Sequence, residues 1–153
     1  MRHRARFFLA TALENAADYD AALVAYRELT KVSPDFAEGH LGVGVLLVKA
    51  GGDGLNEGIN ALQRALALKG NLYEGRVTLG RALIQTGRPA EAIEHLQIAA
   101  TLSPDNPEPH FQLAQAYRRL GRKAEAEAET EIVRQLHEAR RRAGKQDPAV
   151  PES

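Results

Sequence analysis

The chain lacks cysteine and tryptophan, and aromatic residues make up only 5% of its 153 residues. Without cysteine, disulfides and thiolate metal sites are excluded, although such a chain can occur in any redox compartment. No apolar run approaches the ~20 residues that a membrane-spanning helix needs. The basic N-terminus is interrupted by Glu14 before a long apolar segment forms, so we interpret it as mature helix rather than a signal peptide. We therefore expect a soluble protein that is cytoplasmic by default, although a domain cut from a larger secreted or anchored protein would have the same features.

An excess of charge of either sign is also missing, because twenty basic residues balance twenty acidic ones. A net charge of zero provides no long-range field that would concentrate nucleic acid or an anionic membrane surface. The basic run Arg140–Arg142 is more typical of a solvated helix end than of a nucleic-acid contact, because no wider basic face accompanies it. We therefore expect neither nucleic acid nor a membrane among the partners.

The sequence does contain an internal repeat, which is visible when three segments are aligned: ADYDAALVAYRELTKVSPD, GRPAEAIEHLQIAATLSPD and GRKAEAEAETEIVRQLHEA. The two SPD tripeptides at Ser33–Asp35 and Ser103–Asp105 lie 70 residues apart. This separation corresponds to two repeats of about 34 residues each plus two inserted residues. The extra residues fall in the glycine-rich loop 51–54, where insertions are well tolerated. The repeats are then 3–36, 37–72, 73–106 and 107–140.

The pattern within each unit resembles the tetratricopeptide repeat family. That family has a large residue, then Leu-Gly or Leu-Ala, then Tyr or Leu in the first helix, and small and large apolar residues followed by Pro in the second. In the third repeat these roles fall on Leu79, Gly80, Leu83, Ala92, Leu96, Ala99 and Pro104. The resemblance implies an all-α, right-handed superhelical solenoid of four helical hairpins, with eight helices.

Physical chemistry supports the same arrangement independently of the family. Small residues at positions 10, 44, 80 and 114, and at 22, 58, 92 and 126, would let paired helices approach closely. Gly51, Gly87 and Gly121 stand where a left-handed cap would end each first helix, and Asp35 and Asp105 could cap the helices that follow.

The C-terminal helix is expected from about residue 123 to 142, and its polar core positions make it a solubilising cap. We assign 3–142 to the repeat domain and 143–153 to a disordered tail.

The resemblance also implies where a ligand would bind, since the first helices of such repeats line a concave groove. The predicted peptide-binding residues are Phe7, Thr11, Leu41, Val45, Val48, Val77, Arg81, Ile84, Phe111, Gln115 and Arg118. Apolar anchors with arginines towards the C-terminal half would suit an extended peptide or amphipathic helix that carries an acidic group. The alternative interpretation is that curvature and neighbouring side chains cover the apolar members of this set.

Sequence motifs for chemistry are lacking. The histidines at 3, 40, 95, 110 and 137 are never spaced by three or four residues, which argues against a metal site, and no catalytic set or phosphate loop can be assembled. We therefore expect no enzyme, no cofactor and no metal, but a protein-interaction scaffold with a protein or peptide partner. Two alternatives remain. One is self-assembly into a homo-oligomer or filament through the terminal repeats, suggested by Phe7 and Phe8 near the N-terminus. The other is that the chain is the repeat portion of a larger multidomain protein.

Overall fold

The computed structural model describes residues 2–145, which form eight α-helices and, within that range, no β-strand. The expected all-α fold class is therefore confirmed. The helices are α1 (Arg2–Asn15), α2 (Tyr19–Val32), α3 (Ala37–Ala50), α4 (Leu55–Leu68), α5 (Tyr73–Gln85), α6 (Pro89–Leu102), α7 (Glu108–Arg119) and α8 (Lys123–Lys145), with one turn of 3₁₀ helix at Gly52–Gly54. None of the described helices is both long and apolar enough to cross a membrane.

The helices pair into four hairpins, one within each predicted repeat, and successive hairpins stack on one another. The first helices of neighbouring hairpins also touch, α3 against α5 and α5 against α7. Among the described residues, no packing of comparable extent joins the second helices to one another. The first helices therefore pack more closely on one another than the second helices do. Because of this difference the solenoid curves towards the first helices, and α1, α3, α5 and α7 form its concave side.

Small residues allow the close approach within each hairpin. A Cβ atom added to Gly44 would lie 2.5 Å from Leu62 Cγ, and one added to Gly80 would lie 2.6 Å from Leu96 Cδ2. Both leucines are fully buried. Side chains at these glycines would thus force the paired helices apart, which confirms the role predicted for the small positions.

The turns between paired helices use the left-handed region of backbone space. Gly87 and Gly121 have φ angles of 79° and 74°. The Gly87 amide donates to Ile84 O at 3.1 Å, and the Arg88 amide donates to Leu83 O at 2.8 Å, so the last carbonyls of α5 are satisfied. The predicted caps are confirmed at Gly87 and Gly121. At Gly51 the φ of 69° goes with a ψ of −160°, so this residue ends α3 without the left-handed helical cap, and the first hairpin places Ala17 at the equivalent position with a φ of 62°.

The aspartates of the SPD tripeptides do not cap the following helices, contrary to the expectation. Helix α3 begins after Phe36 without a side-chain cap, and the Asp35 side chain is 91% exposed. Ahead of α7, it is Asn106 Oδ1 that accepts the Glu108 amide, at 3.0 Å. In each case the helix begins beyond the residue that follows the aspartate, so the aspartate lies too early to reach the free amides of the first turn.

The core has two parts that meet in α3. One cluster joins buried residues of α1, α2 and α3, and the other runs from α3 to α8. At the C-terminal end, α8 continues to Lys145, so residues 143–145 are helical rather than part of the predicted tail. The rest of that predicted segment, 146–153, lies outside the described residues.

Candidate functional site

A cleft of about 520 Å³ lies on the concave side between α5 and α7, and we call it the α5–α7 cleft. Its walls are the facing sides of two neighbouring first helices. It is lined by Arg81, Ile84, Gln85, Glu108, Phe111, Gln112, Gln115, Arg118 and Arg119. The structure therefore brings together five of the predicted groove residues, namely Arg81, Ile84, Phe111, Gln115 and Arg118.

The apolar residues predicted for the middle of the groove are not on its surface. Val45, Val48 and Val77 are only 3%, 7% and 7% exposed. Leu41 is half-buried and packs against the core, where its Cδ1 lies beside Gly75 of α5. The valines are buried, with Val48 Cγ2 beside Gly58 of α4, so the expectation that these residues line an accessible groove is corrected. Ile84 is also buried, at 4% exposed, although it borders the cleft.

The N-terminal groove residues Phe7 and Thr11 lie in the first hairpin, away from the cleft. The Phe7 ring packs edge-on against Phe36 with 5.4 Å between centroids. The Thr11 hydroxyl donates to the Phe7 and Phe8 carbonyls at 3.0 Å, so its one donor hydrogen is used within its own helix. Nearby, the Tyr26 hydroxyl donates to Glu14 Oε1 at 2.7 Å, and burial followed by this hydrogen bond raises the pKa of Tyr26. A ligand role for Phe7 and Thr11 stays a prediction.

The cleft is rich in positive charge that has no carboxylate partner. Across residues 2–145, none of Arg81, Arg118 and Arg119 lies within ion-pair distance of a carboxylate oxygen, whereas Arg27, Arg88, Arg122 and Arg134 each form such a pair. Arg118 Nη2 donates to Thr130 Oγ1 at 3.0 Å, and Arg119 Nη1 donates to the Ile84 carbonyl at 3.1 Å. The latter bond ties α7 to α5 across the cleft.

Polar residues that the sequence analysis missed complete the lining. Gln112 is 2% exposed, and its Nε2 donates to Glu108 Oε1 at 2.7 Å. Its Oε1 is buried and has no hydrogen-bond partner among the described residues. Outside the lining, the Tyr73 hydroxyl is also buried without a hydrogen-bond partner among the described residues. Burial, then the Glu108 carboxylate, raises the pKa of Tyr73. Gln112 and Arg119 directly follow the predicted groove residues Phe111 and Arg118 in α7. Assigning a wider face of that helix to the groove would have included them.

Three of the five histidines make hydrogen-bond contacts within the fold. His40 Nε2 lies 2.8 Å from the Pro34 carbonyl, and His110 Nδ1 lies 2.6 Å from Glu129 Oε2 across α7 and α8. His95 Nδ1 lies 2.8 Å from Arg76 Nη1. In the part of the chain that the structure describes, no three His, Asp or Glu side chains converge as a metal site would require.

The sequence matches two family models. A model described as "Tetratricopeptide repeat" matches residues 7–71, and one described as "TPR repeat" matches residues 80–121. Together they cover both halves of the solenoid. No curated protein is similar enough in sequence to count as a relative.

Solved structures of the protein MamA share the fold. A crystal structure of MamA has a TM-score of 0.83 at 19% identity, covering 92% of this chain and 81% of that one. MamA from Desulfovibrio magneticus RS-1, from residue 41 to its end, has a TM-score of 0.79 at 21% identity, covering 95% and 77%. Identities at this level show a shared fold and no more. Through its repeats, its fold and the two matching family models, the chain belongs to the tetratricopeptide repeat family.

Proposed function

We propose that the chain binds a segment of a partner protein in the α5–α7 cleft, the C-terminal half of the groove predicted from the sequence. The observation that carries this proposal is Phe111, which is 49% exposed on the concave side and stands among arginines that have no carboxylate partner. An aromatic side chain in a concave site is a typical interface anchor, because it contributes a large contact area at little conformational entropy.

The general role follows from the family. Tetratricopeptide repeat proteins are typically non-enzymatic scaffolds for protein–protein interactions, and membership of the family supports a scaffold role for this chain. The cleft volume of about 520 Å³ lies within the range of about 300–1,000 Å³ typical of ligand sites. A short extended segment or one face of a helix would fill such a space, and both are common ways of recognising a peptide.

The test is capture of partner proteins by the purified chain and by a Phe111→Ala/Arg118→Glu variant. Both residues are exposed, so the variant should fold with an unchanged circular dichroism spectrum. Loss of a central anchor weakens an interface by about 2 kcal/mol or more, or roughly 30-fold in affinity. We therefore expect partners held in the cleft to be lost from the variant.

A matched control is Arg64→Glu, a charge reversal on α4 outside the cleft. Its side chain is 53% exposed and lies 4.0 Å from Asp35 Oδ1, a pair that contributes little to stability. Partners captured equally by the wild type and by both variants would show that binding occurs elsewhere and would reject the cleft.

Self-association is a second candidate, favoured by exposed apolar side chains in the first hairpin. Phe8 and Leu9 are 68% and 57% exposed on α1, and Val24 is 61% exposed on α2. Light scattering over a range of concentrations tests this candidate. A mass that rises with concentration in the wild type and not in Phe8→Ser/Leu9→Ser would support it, whereas a monomer mass throughout would reject it.

A further inference from the structure

One face of α1 is exposed where the other first helices are covered. Four equivalent positions are buried in each of the other first helices, namely Gly39, Gly42, Val43 and Leu46 in α3, Gly75, Thr78, Leu79 and Ala82 in α5, and Pro109, Gln112, Leu113 and Ala116 in α7. Their counterparts in α1 are Ala5, Phe8, Leu9 and Ala12, and all four are exposed. We call these four residues the α1 outer face.

The cover in the other hairpins is the second helix of the hairpin before. A Cβ atom added to Gly39 would lie 3.2 Å from Leu29 Cγ of α2, and one added to Gly75 would lie 3.3 Å from Leu66 Cδ2 of α4. Within residues 2–145 only α2 packs extensively on α1, and it does so on another side, around the buried Ala10. The α1 outer face is therefore an apolar surface at a position where a helix packs in every other hairpin.

The residues of this face have the same order in both directions. Small residues lie at its ends and large ones at its centre, with the spacing Ala5-x-x-Phe8-Leu9-x-x-Ala12. Two copies of α1 that cross antiparallel about a two-fold axis would place Phe8 of each copy against Leu9 of the other, and Ala5 against Ala12. The small end residues let the two backbones approach. The face is therefore self-complementary, as a two-fold interface requires.

The charges favour a second α1 over the α8 helix of another copy. Each second helix runs antiparallel to the first helix that follows it, so α8 in that place would lay its C-terminal end along the N-terminal end of α1. Arg140–Arg142 would then lie near Arg4 and Arg6, and like charges repel. Between two antiparallel α1 helices, each basic end lies instead near the C-terminal end of the other, which carries the negative end of the helix dipole and is followed by Asp18 and Asp20.

We infer that two copies of the chain associate through the α1 outer face, with their α1 helices antiparallel about a two-fold axis. This inference rests on self-association, the second candidate function, and specifies its contact. It predicts a closed dimer rather than a filament, because a two-fold contact occupies the same surface on both copies. Val24 does not belong to this contact, since its counterparts Asn60, Glu94 and Ala128 are exposed in every other hairpin as well.

Light scattering on the full chain tests the dimer. The mass should rise with concentration and level off at two copies. Phe8→Ala should weaken association at least tenfold, because it removes the large aromatic side chain at the centre of the contact. Val24→Ala is the matched control, an apolar truncation at a side chain that is 61% exposed on α2, and it should leave association unchanged. Circular dichroism checks that both variants keep their helix content.

Disulfide cross-linking tests the orientation, and the lack of natural cysteine makes each engineered pair specific. Ala5→Cys and Ala12→Cys each replace one small residue by another. The two variants mixed under oxidising conditions should form a linked pair, because antiparallel pairing sets these positions opposite each other. Either variant alone should cross-link at least fivefold more slowly, since identical positions are then about 10 Å apart along the helix, too far for a disulfide.

A head-to-tail stack would give a different pattern. Thr30 Cγ2 of α2 lies 3.4 Å from a Cβ added to Gly39, and the counterparts of these two residues are Arg134 of α8 and Ala5 of α1. Cross-linking of Ala5→Cys with Arg134→Cys would therefore indicate that α8 covers α1.

The outcomes separate this contact from self-association in general. A monomer mass at every concentration would overturn both. If the mass rises but Phe8→Ala associates as the wild type does, or Val24→Ala weakens association as much, the chain self-associates through another surface and only the α1 contact fails. The two-fold arrangement is likewise wrong if Ala5→Cys links to itself or to Arg134→Cys faster than to Ala12→Cys, if no pair links, or if the mass continues to rise beyond two copies.

Discussion

At the scale of single residues, the backbone of Ala17 is the exception among the hairpin turns. It has a φ of 62°, where the third and fourth hairpins use Gly87 and Gly121. Its amide donates to Glu14 O at 2.9 Å and the Asp18 amide donates to Leu13 O at 2.9 Å, so the same cap forms as at Gly87. The left-handed region is unfavourable for alanine by about 1–2 kcal/mol, because its Cβ approaches the following carbonyl.

Ala17→Gly should therefore stabilise the chain. Glycine removes the steric penalty, but it gains backbone freedom in the unfolded chain worth roughly 0.5–1 kcal/mol. The net gain should be about 0.5–1 kcal/mol, which corresponds to a rise in the melting temperature of about 1–4 °C for a chain of this length. Thermal unfolding followed by circular dichroism measures it. The reciprocal change, Gly87→Ala, should lower the melting temperature, and a fall in both variants would contradict this account of the turn.

At the scale of elements, the third hairpin is held by a contact that depends on a neutral histidine. Arg76 in α5 donates through Nε to the Gly70 carbonyl at 3.0 Å. Its Nη1 lies 2.8 Å from His95 Nδ1 in α6, and because a guanidinium can only donate, His95 must accept. Burial, and then the positive charge of Arg76, lower the pKa of His95 from its ordinary value of 6.5.

This contact should make stability depend on pH in a defined direction. Below its unfolded pKa of about 6.5, His95 binds a proton in the unfolded chain more readily than in the folded one. The contribution of His95 to the free energy of unfolding is thus complete above that pH and is lost as the pH falls towards the lowered folded pKa. Urea unfolding at pH 7.5 and pH 5.5 should show a larger loss for the wild type than for His95→Gln. Equal losses would show that His95 does not contribute to the dependence.

At the scale of the whole molecule, the stability of the solenoid should vary along its length. In a stack of hairpins each unit contacts only its neighbours, so the ends can open without the middle. The core is divided in this way, with one buried cluster in α1–α3 and another from α3 to α8. Leu29 is fully buried in the first cluster and Leu83 is 1% exposed in the second.

Leu29→Ala should loosen the first hairpin far more than the rest. Truncating a buried leucine destabilises by about 2–5 kcal/mol, through lost burial and the cavity left behind. Hydrogen exchange followed by mass spectrometry should show peptides from α1 and α2 exchanging at least tenfold faster, while those from α5–α7 keep their protection. Leu83→Ala, the matched change in the second cluster, should instead raise exchange across α5–α7. Uniformly faster exchange in Leu29→Ala would mean that the solenoid unfolds as one unit.

The hairpins could be predicted from the sequence, because the signals that set them are local and repeat. Glycine at 87 and 121 ends the first helices, small residues at 44 and 80 permit close pairing, and the repeat aligns these features in register. The helix ends were less predictable, as α8 shows by continuing to Lys145. The arginine-rich end of the groove was also predictable, since Arg81 and Arg118 recur on the concave face of their helices.

Which groove residues reach the surface could not be predicted from the repeat pattern. Val45, Val77 and Phe111 were all predicted to lie on the concave face of a first helix. The two valines are buried, whereas Phe111 is 49% exposed. Exposure here depends on how closely the adjacent first helices pack, and a repeat pattern carries no information about that distance. The bond from Arg119 to the Ile84 carbonyl likewise joins elements distant in sequence. Helical periodicity predicts the face on which a side chain lies, whereas burial and pairing are set by what the neighbouring hairpin places against it.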